Sequence, residues 1–158
     1  MIIRPIGEQD IPKVVEIIAL NYDGVMSEYH SPETIKKFRE EATPEWLKSQ
    51  MGWKEIFVVE EADEIIATGG LANFGTKEDP KHTISQFFVH PNRHSQSIGT
   101  FLINYLIKTA RGKGILQLHV PSSRNAVSFY EKVGFVLDAL QPDRDEEISW
   151  MTKNILEE

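Results

Sequence analysis

The groups best suited to hold an anion fall in one stretch: Phe88-Val89-His90-Pro91-Asn92-Arg93-His94-Ser95-Gln96-Ser97-Ile98-Gly99-Thr100-Phe101-Leu102. A strand-like run ends at Val89, a polar loop follows, and an amphipathic helix begins near Ile98. The first turn of a helix carries unpaired N–H groups and a partial positive charge, which suit phosphate oxygens. Small residues at Ser95, Ser97, Gly99 and Thr100 let a ligand approach the backbone. Their hydroxyls add donors, and Arg93 and His94 add cationic character. An ordinary helix capped by Ser95 or Ser97 is the plain alternative. The stretch lacks the Gly-x-x-x-x-Gly-Lys-[Ser/Thr] pattern of a P-loop and the Gly-x-Gly-x-x-Gly of a dinucleotide fold.

Charge is unevenly spread around this stretch. The 158 residues carry a net charge of −7, which argues against a general nucleic-acid binder. Residues 81–124 hold Lys81, Arg93, Lys108, Arg111, Lys113 and Arg124, with no Asp or Glu, so the block is +6 and the rest of the chain −13. A cationic block in an acidic protein points to a local anionic ligand, or to a solvated surface. There is no cysteine, which excludes disulfides, thiolate metal sites and a cysteine nucleophile. No metal is expected. The chain shows neither a signal peptide nor an apolar run of the roughly 20 residues a membrane span needs, so a soluble cytoplasmic protein is expected.

The elements that position the stretch can be read from periodicity. Ile2, Ile3 and Ile6 suggest a first strand. Ile11, Val14, Val15 and Ile18 form a helical stripe that closes between Asn21 and Gly24. Ser31-Pro32-Glu33 and Thr43-Pro44-Glu45 start helices over 32–41 and 44–51. Strands are expected over 55–60 and 65–74, joined by a turn at Ala62-Asp63-Glu64, and over 82–89. Ile98, Phe101, Leu102, Tyr105 and Leu106 predict a helix closed by Gly112-Lys113-Gly114. A strand at 115–120, a helix through Ala126, Phe129, Tyr130 and Val133, and strands at 135–140 and 147–152 complete the chain. The fold class is α/β (an α+β mixed sheet) with helices on both faces, in one domain spanning 1–158.

Two motifs give this order a family resemblance. Val89-His90-Pro91 followed by His94-Ser95-Gln96-Ser97-Ile98-Gly99 resembles the pyrophosphate loop of the GNAT superfamily of acyl-CoA N-acyltransferases. There Val-x-Pro leads into [Gln/Arg]-x-x-Gly-x-[Gly/Ala]. His94 replaces the usual Gln or Arg, and Ser97 replaces the first glycine. Serine lacks glycine's freedom at positive φ; with a negative φ here the backbone amides would still face the ligand, and CoA affinity is the property this substitution bears on. Ser123-Arg124-Asn125-Ala126-Val127-Ser128-Phe129-Tyr130-Glu131-Lys132-Val133-Gly134-Phe135 is similar to the family's Asn-x-x-Ala-x-x-[Phe/Leu]-Tyr-x-x-x-Gly-Phe signature, with Ser123 in place of Asn. The order of elements agrees over nearly the whole chain.

The resemblance implies the acyl-CoA N-acyltransferase fold, with acetyl-CoA as co-substrate between the strand ending at Val89 and the strand from Ile115. Phe88 and Val89 would border the pantetheine arm. His94, Ser95, Gln96, Ser97, Ile98, Gly99 and Thr100 would hold the pyrophosphate. Lys108, Arg111, Lys113 and Arg124 are candidates for the adenosine 3′-phosphate or are solvated side chains. Asn125 would hydrogen-bond CoA or sit in the first turn of its helix. Tyr130 would act as general acid toward the departing thiolate, or pack in the core. The implied reaction is direct transfer of acetyl to a primary amine of a small molecule, peptide or protein, in a ternary complex. Relatives often carry a Glu in the strand before the loop, and residues 82–87 have none. Ser85 and Gln86 are poor bases, and His82 lies far down the strand. The acceptor would be set by residues 21–53 and 141–146. Tyr22, Asp23, Glu28, Tyr29, His30, Trp46 and Trp53 would suit a cationic amine or form an acidic face over core aromatics. The alternative is a GNAT-fold module that binds acyl-CoA or a protein without turnover. Homodimers are common in the superfamily; the sequence itself establishes none.

Overall fold

A computed structural model describes residues 1–94, 96–138 and 147–156. The expected loop residue Ser95, the end of the strand expected over 135–140 and the acceptor segment 141–146 lie outside the described residues. Among the described residues, seven strands form one sheet in the order β1-β2-β3-β4-β5-β7-β6. The strands are β1 (Ile2–Pro5), β2 (Glu55–Glu61), β3 (Glu64–Asn73), β4 (His82–Val89), β5 (Gln117–Ser123), β6 (Val136–Leu137) and β7 (Ile148–Asn154). The helices are α1 (Ile11–Asp23), α2 (Pro32–Glu41), α3 (Pro44–Met51), α4 (Ile98–Gly112) and α5 (Val127–Lys132). None among the described residues is long and apolar enough to cross a membrane.

Local chemistry explains most boundaries. Ser31 Oγ accepts from the Thr34 amide and Thr43 Oγ1 from the Trp46 amide, each ahead of a proline at the first helical position. The β2–β3 hairpin turns on Ala62 and Asp63, both left-handed (φ +52° and +66°), as a two-residue hairpin matching strand twist requires. β5 begins two residues later than expected. The Ile115 amide is committed to the Ala110 carbonyl in the last turn of α4 and cannot enter the ladder. The strand then runs on through Pro121 to Ser123. Proline has no N–H, and Pro121 pairs with Trp150 of β7 where β4 has already moved away.

Two cores flank the sheet. Val14, Ile17, Ile18, Leu47, Ile56 and Val58 pack on the α1 side. Phe57, Ile84, Leu102, Leu106, Leu118 and Tyr130 pack on the α4 side. The first strand is tied to the start of the first helix by a half-buried ion pair. Asp10, 5% exposed, accepts from both terminal nitrogens of Arg4 (2.8 and 2.9 Å) and from the Gly7 amide (2.8 Å), while Arg4 Nε reaches Glu60 at 2.8 Å. The Arg4 hydrogen bonds hold the Asp10 carboxyl below its ordinary pKa. Removing Asp10 leaves the Gly7 amide without its acceptor and Arg4 with Glu60 alone. Asp10→Ala should therefore lower the urea-unfolding free energy by about 2 kcal/mol without changing the far-UV spectrum of the native state.

Candidate active site

Among the described residues, β4 and β5 are the only parallel neighbours in the sheet, and one register pair, Thr83↔His119, joins them. Beyond it the strands part. The cause lies in β4. Thr68 pairs with Phe88 and Gly70 with Ser85, so β4 spends one more residue than β3 over this interval. This is a β-bulge, and Gln86 at its centre is left-handed (φ +57°). Strict alternation would put Ile84 and Phe87 on opposite faces. The extra residue places both in the α4-side core, while Phe88 packs on the α1 side.

A cleft of about 530 Å³ opens from this parting. Phe87, Phe88 and Val89 line it from β4, Ser97, Gly99 and Thr100 from α4, and Asn125, Phe129 and Tyr130 from the signature segment. It reaches both faces of the sheet, since Asn21 of α1 and Met26 also border it. The candidate residues Phe88, Val89, His94, Ser97, Gly99, Thr100, Asn125 and Tyr130 all line it. Ile98 is fully buried beneath, and Gln96 turns outward to receive Arg93 Nε at 2.7 Å.

Ser97 takes a conformation that serine adopts reluctantly. It is left-handed (φ +65°, ψ +10°), the conformation that a glycine at this place would supply. The serine has kept the loop geometry and absorbed the strain. Its carbonyl accepts the first intrahelical bond, from Phe101 at 3.0 Å, so the amides of Ile98, Gly99 and Thr100 precede the ladder. Gly99 has a second reason to be glycine: a Cβ there would lie 3.2 Å from the Phe129 ring, where α4 meets α5.

His94 and Asn21 act on the strand end. His94 Nε2–H donates to the Val89 carbonyl at 2.9 Å and Asn21 Nδ2 donates to the same oxygen at 3.0 Å. Asn21 also bonds Ile17 O at 2.9 Å. Both lone pairs of that carbonyl are thus used inside the protein. Arg93 reaches over the loop to pair with Glu61, whose carboxyl it holds below the usual range. Its charge is therefore offset at the hairpin.

Tyr130 is 4% exposed and sits edge-on to Phe129 (5.2 Å between centroids), Phe135 (5.7 Å) and Phe87 (6.0 Å). Its hydroxyl has no hydrogen-bond partner among the described residues, and burial pushes its pKa above the ordinary value of 10. Asn125 Oδ1 is buried and has no partner among the described residues, and the same holds for both amide atoms of Gln86 at the bulge.

The basic block disperses in space. Lys113 pairs with Glu55 (3.1 Å), Lys81 lies over the Trp150 ring (3.5 Å), and Arg124 donates to the Tyr29 carbonyl (3.3 Å). Lys108 and Arg111 line a second cleft with Lys132 and Lys153, and this cleft shares Thr100 and Lys132 with the first. The expected acceptor aromatics divide similarly. Tyr22 is sandwiched between Phe38 (5.3 Å) and Phe88 (5.7 Å), and burial raises its pKa to about 12. Asp23 pairs with Arg39. Trp53 and Tyr29 remain exposed.

His30, whose side chain is fully buried, joins three segments. Its Nδ1–H faces Glu147 (3.2 Å) and its Nε2 accepts from the Arg124 amide (3.3 Å). Glu147 also accepts from Thr34 Oγ1 (2.6 Å), the Ser31 amide (2.8 Å) and Ser31 Oγ (2.9 Å). It is thereby anchored at the N-terminus of α2. These bonds, Thr34 foremost, pull its pKa down to about 2.

Comparison with known proteins resolves the family. A family model described as the acetyltransferase (GNAT) domain matches residues 26–154. The chain belongs to the GNAT acetyltransferase family. Cysteine-rich protein 2-binding protein of Homo sapiens is 46% identical over 52 residues, which are 33% of this chain and 6% of that protein's length. The chain therefore spans a small part of that relative. Among solved structures it resembles the PaiA N-acetyltransferase from Thermoplasma acidophilum in complex with coenzyme A (TM-score 0.81, 21% identity, 97% of this chain and 98% of that one). It also resembles a GCN5-related N-acetyltransferase from Rhodopseudomonas palustris (TM-score 0.82, 21% identity, 97% and 94%). The mixed sheet with helices on both faces is thus the GNAT fold, as the order of elements implied.

Asn21, Gln86, Lys132 and Lys153 were not singled out from the sequence. Asn21 alone left a signal: it continues the apolar stripe of Val14, Ile17 and Ile18, where a polar side chain must find buried partners.

Two outcomes follow for the GNAT loop and its flank. Ser97→Gly should raise stability by about 0.5–1 kcal/mol, because relief of left-handed strain outweighs the unfolded-state entropy that glycine adds; thermal denaturation reads this. Glu147 has a depressed native pKa, so its contribution is full above the unfolded carboxyl pKa near 4.3 and is lost as pH falls toward 2. Melting curves from pH 5 to 2.5 should fall more steeply for the native protein than for Glu147→Gln.

Proposed function

We propose that this protein transfers the acetyl group of acetyl-CoA directly to a primary amine, in a ternary complex. The observation that supports it most is the parting of β4 from β5 beside a left-handed loop at the start of α4. In that arrangement the amides of Ile98, Gly99 and Thr100 receive the pyrophosphate at the helix N-terminus. The pantetheine arm runs along the free edge of β4, as an added strand would. The residues fit this ligand. Pantetheine carries two amides, each a donor and an acceptor, and the cleft region holds unpaired amide groups at Asn125 and Gln86. The 3′-phosphate falls to the cleft of Lys108, Arg111, Lys132 and Lys153, rather than to Lys113 and Arg124, which are engaged elsewhere. The PaiA relative in complex with coenzyme A supports the same cofactor class here.

Acetyl-CoA supplies an activated thioester. The chain's own groups position it and handle charge. Backbone N–H groups of β4 past the bulge polarise the carbonyl oxygen. Tyr130, kept protonated by burial at every ordinary pH, donates a hydrogen bond to the sulfur as negative charge develops there. The same apolar surroundings that raise the phenol's pKa make the departing thiolate more basic, so the bond strengthens along the reaction. No cysteine is available for an acyl-enzyme, which fits direct transfer.

The test is release of free thiol from acetyl-CoA against a panel of small amines and peptides. Turnover with at least one amine is expected, and Tyr130→Phe should lower kcat about 10²-fold with little change in KM for acetyl-CoA. Unchanged turnover in the variant would remove Tyr130 from the chemistry. Failure of millimolar acetyl-CoA to raise the melting temperature would remove the cofactor.

A further inference from the structure

Lys54 lies between α3 and β2, on the same sheet face as Ile56 and opposite to Glu55, which turns to the α4 side and pairs with Lys113. Its Nζ crosses β3 and donates to Ser85 Oγ at 2.9 Å. Ser85 is 6% exposed and immediately precedes the bulge at Gln86, two residues past the pair that joins β4 to β5. The hydrogen-bonded pair therefore stands at the apex of the parting, on the α1 side.

The surroundings of Lys54 are unusual for a lysine. Trp53 and Phe74, 5.6 Å apart, lie 4.9 and 5.3 Å from Nζ. Among the described residues no carboxylate lies within 4 Å of it, and Ser85 is its hydrogen-bond partner. The other titratable groups on this part of the sheet are Lys81, stacked on Trp150, and His119, across from Thr83; burial and then Lys81 lower the His119 pKa. Desolvation without a counter-charge pushes Lys54 down to about 8. The other groups on β4 offer no comparable proton acceptor, since His82 pairs with Asn73 at the far end of the strand.

We propose that Ser85 and Lys54 form the proton relay that deprotonates the acceptor amine. This rests on the acetyl transfer proposed above. An N–H proton of the acceptor ammonium passes to Ser85 Oγ while the Ser85 hydroxyl proton passes to neutral Lys54 Nζ. The freed amine lone pair forms the C–N bond to the thioester carbonyl carbon, the C–S bond breaks, and the sulfur leaves with its electron pair and takes the Tyr130 hydroxyl proton; the second N–H proton, shed as the amide forms, restores the Tyr130 phenol through water, so the products are the amide, the free thiol and one proton on Lys54. Lys54 then returns its proton to water. Ser85, two residues before the cleft-lining Phe87, would meet the acceptor in this relay, and Lys54 acts through it. An ammonium near pH 8 can lose its proton under ordinary conditions, which an unperturbed lysine near 10.4 does poorly.

The experiment combines a pH–rate profile with direct titration. With the best amine of the panel, kcat/KM should rise with pH through an apparent pKa near 8, and this limb should not move among acceptors of different basicity. Lys54→Gln and Lys54→Arg should each lower kcat at pH 7.5 about 10²-fold and lose the limb, and Ser85→Ala should do the same. Arginine keeps the charge and the reach and cannot deprotonate. Restored activity in Lys54→Arg would overturn the relay and leave Lys54 as an anchor for an anionic part of the acceptor. Titration of the Lys54 Cε resonance by ¹³C NMR should give a midpoint near 8; a midpoint above 10 would overturn the relay whatever the kinetics. An unchanged thermal shift with acetyl-CoA shows that each variant is folded. Absence of turnover in the native protein would fail the acetyl-transfer reading and the relay together, whereas turnover insensitive to Lys54 fails the relay alone.

Discussion

The extra residue at Gln86 governs the geometry of this protein. A parallel pair of strands normally stays paired along its length, covered by helices on both faces. Here β4 takes on one residue more than β3 can match, turns left-handed at Gln86 and pulls away from β5 after Thr83. Unpaired backbone inside a sheet is costly, and the orphaned Gln86 amide adds to that cost. Continuous apolar packing on the α4 side holds the parted strands. Ile84 and Phe87 sit on one face because of the bulge, and Phe87 meets Phe129 and Tyr130 beneath the opening. The strain and the opening have the same origin.

Other contacts keep the opening in register. Val89, at the end of β4, is bonded by Asn21 from α1 and by His94 from the loop, so the strand end, the first helix and the start of α4 move as one unit. On the far side, His30 and Glu147 join the start of α2 to the turn before α5 and to the start of β7. Each knot is centred on a buried polar side chain, Asn21 in one and His30 in the other, whose bonds all go to groups of the protein. Such networks resist rearrangement because a half-satisfied arrangement costs more than either extreme. The cleft is a preformed feature by this reasoning, and the residues around it differ in role. Ser97 and Gly99 shape backbone, His94 and Asn21 fix the strand end, and Tyr130 lines the cleft from the α4 side while Ser85 lies on the α1 side.

Much of the fold could be read from the residues. Helix starts at Ser31 and Thr43 carry their own caps, and the stripes of α1 and α4 have clear helical periods. The signature from Ser123 to Phe135 locates Tyr130 in its pocket. What escaped has physical reasons. A bulge leaves no mark in composition, so His82 to Val89 reads as an uninterrupted strand. The left-handed Ser97 contradicts local preference, because tertiary packing of α4 on β4 and Phe129 over-determines a conformation that serine alone would avoid. The cationic block looks like one patch along the chain, yet a strand, a helix and another strand send its members to different sides. Lys132 and Lys153, outside that block, join Lys108 and Arg111 only in space. Lys54 gives no signal at all in sequence, since its distinction is the absence of a nearby carboxylate across the sheet.

The central claim is that the gap between β4 and β5 is the place where acetyl-CoA binds. Amide chemical-shift mapping on titration with acetyl-CoA tests it directly. The account predicts the largest changes at Ile98, Gly99 and Thr100, at Phe87 to Val89 and around Asn125, with the α2 and α3 amides little affected. Changes confined to another surface, or none at saturating ligand, would contradict it.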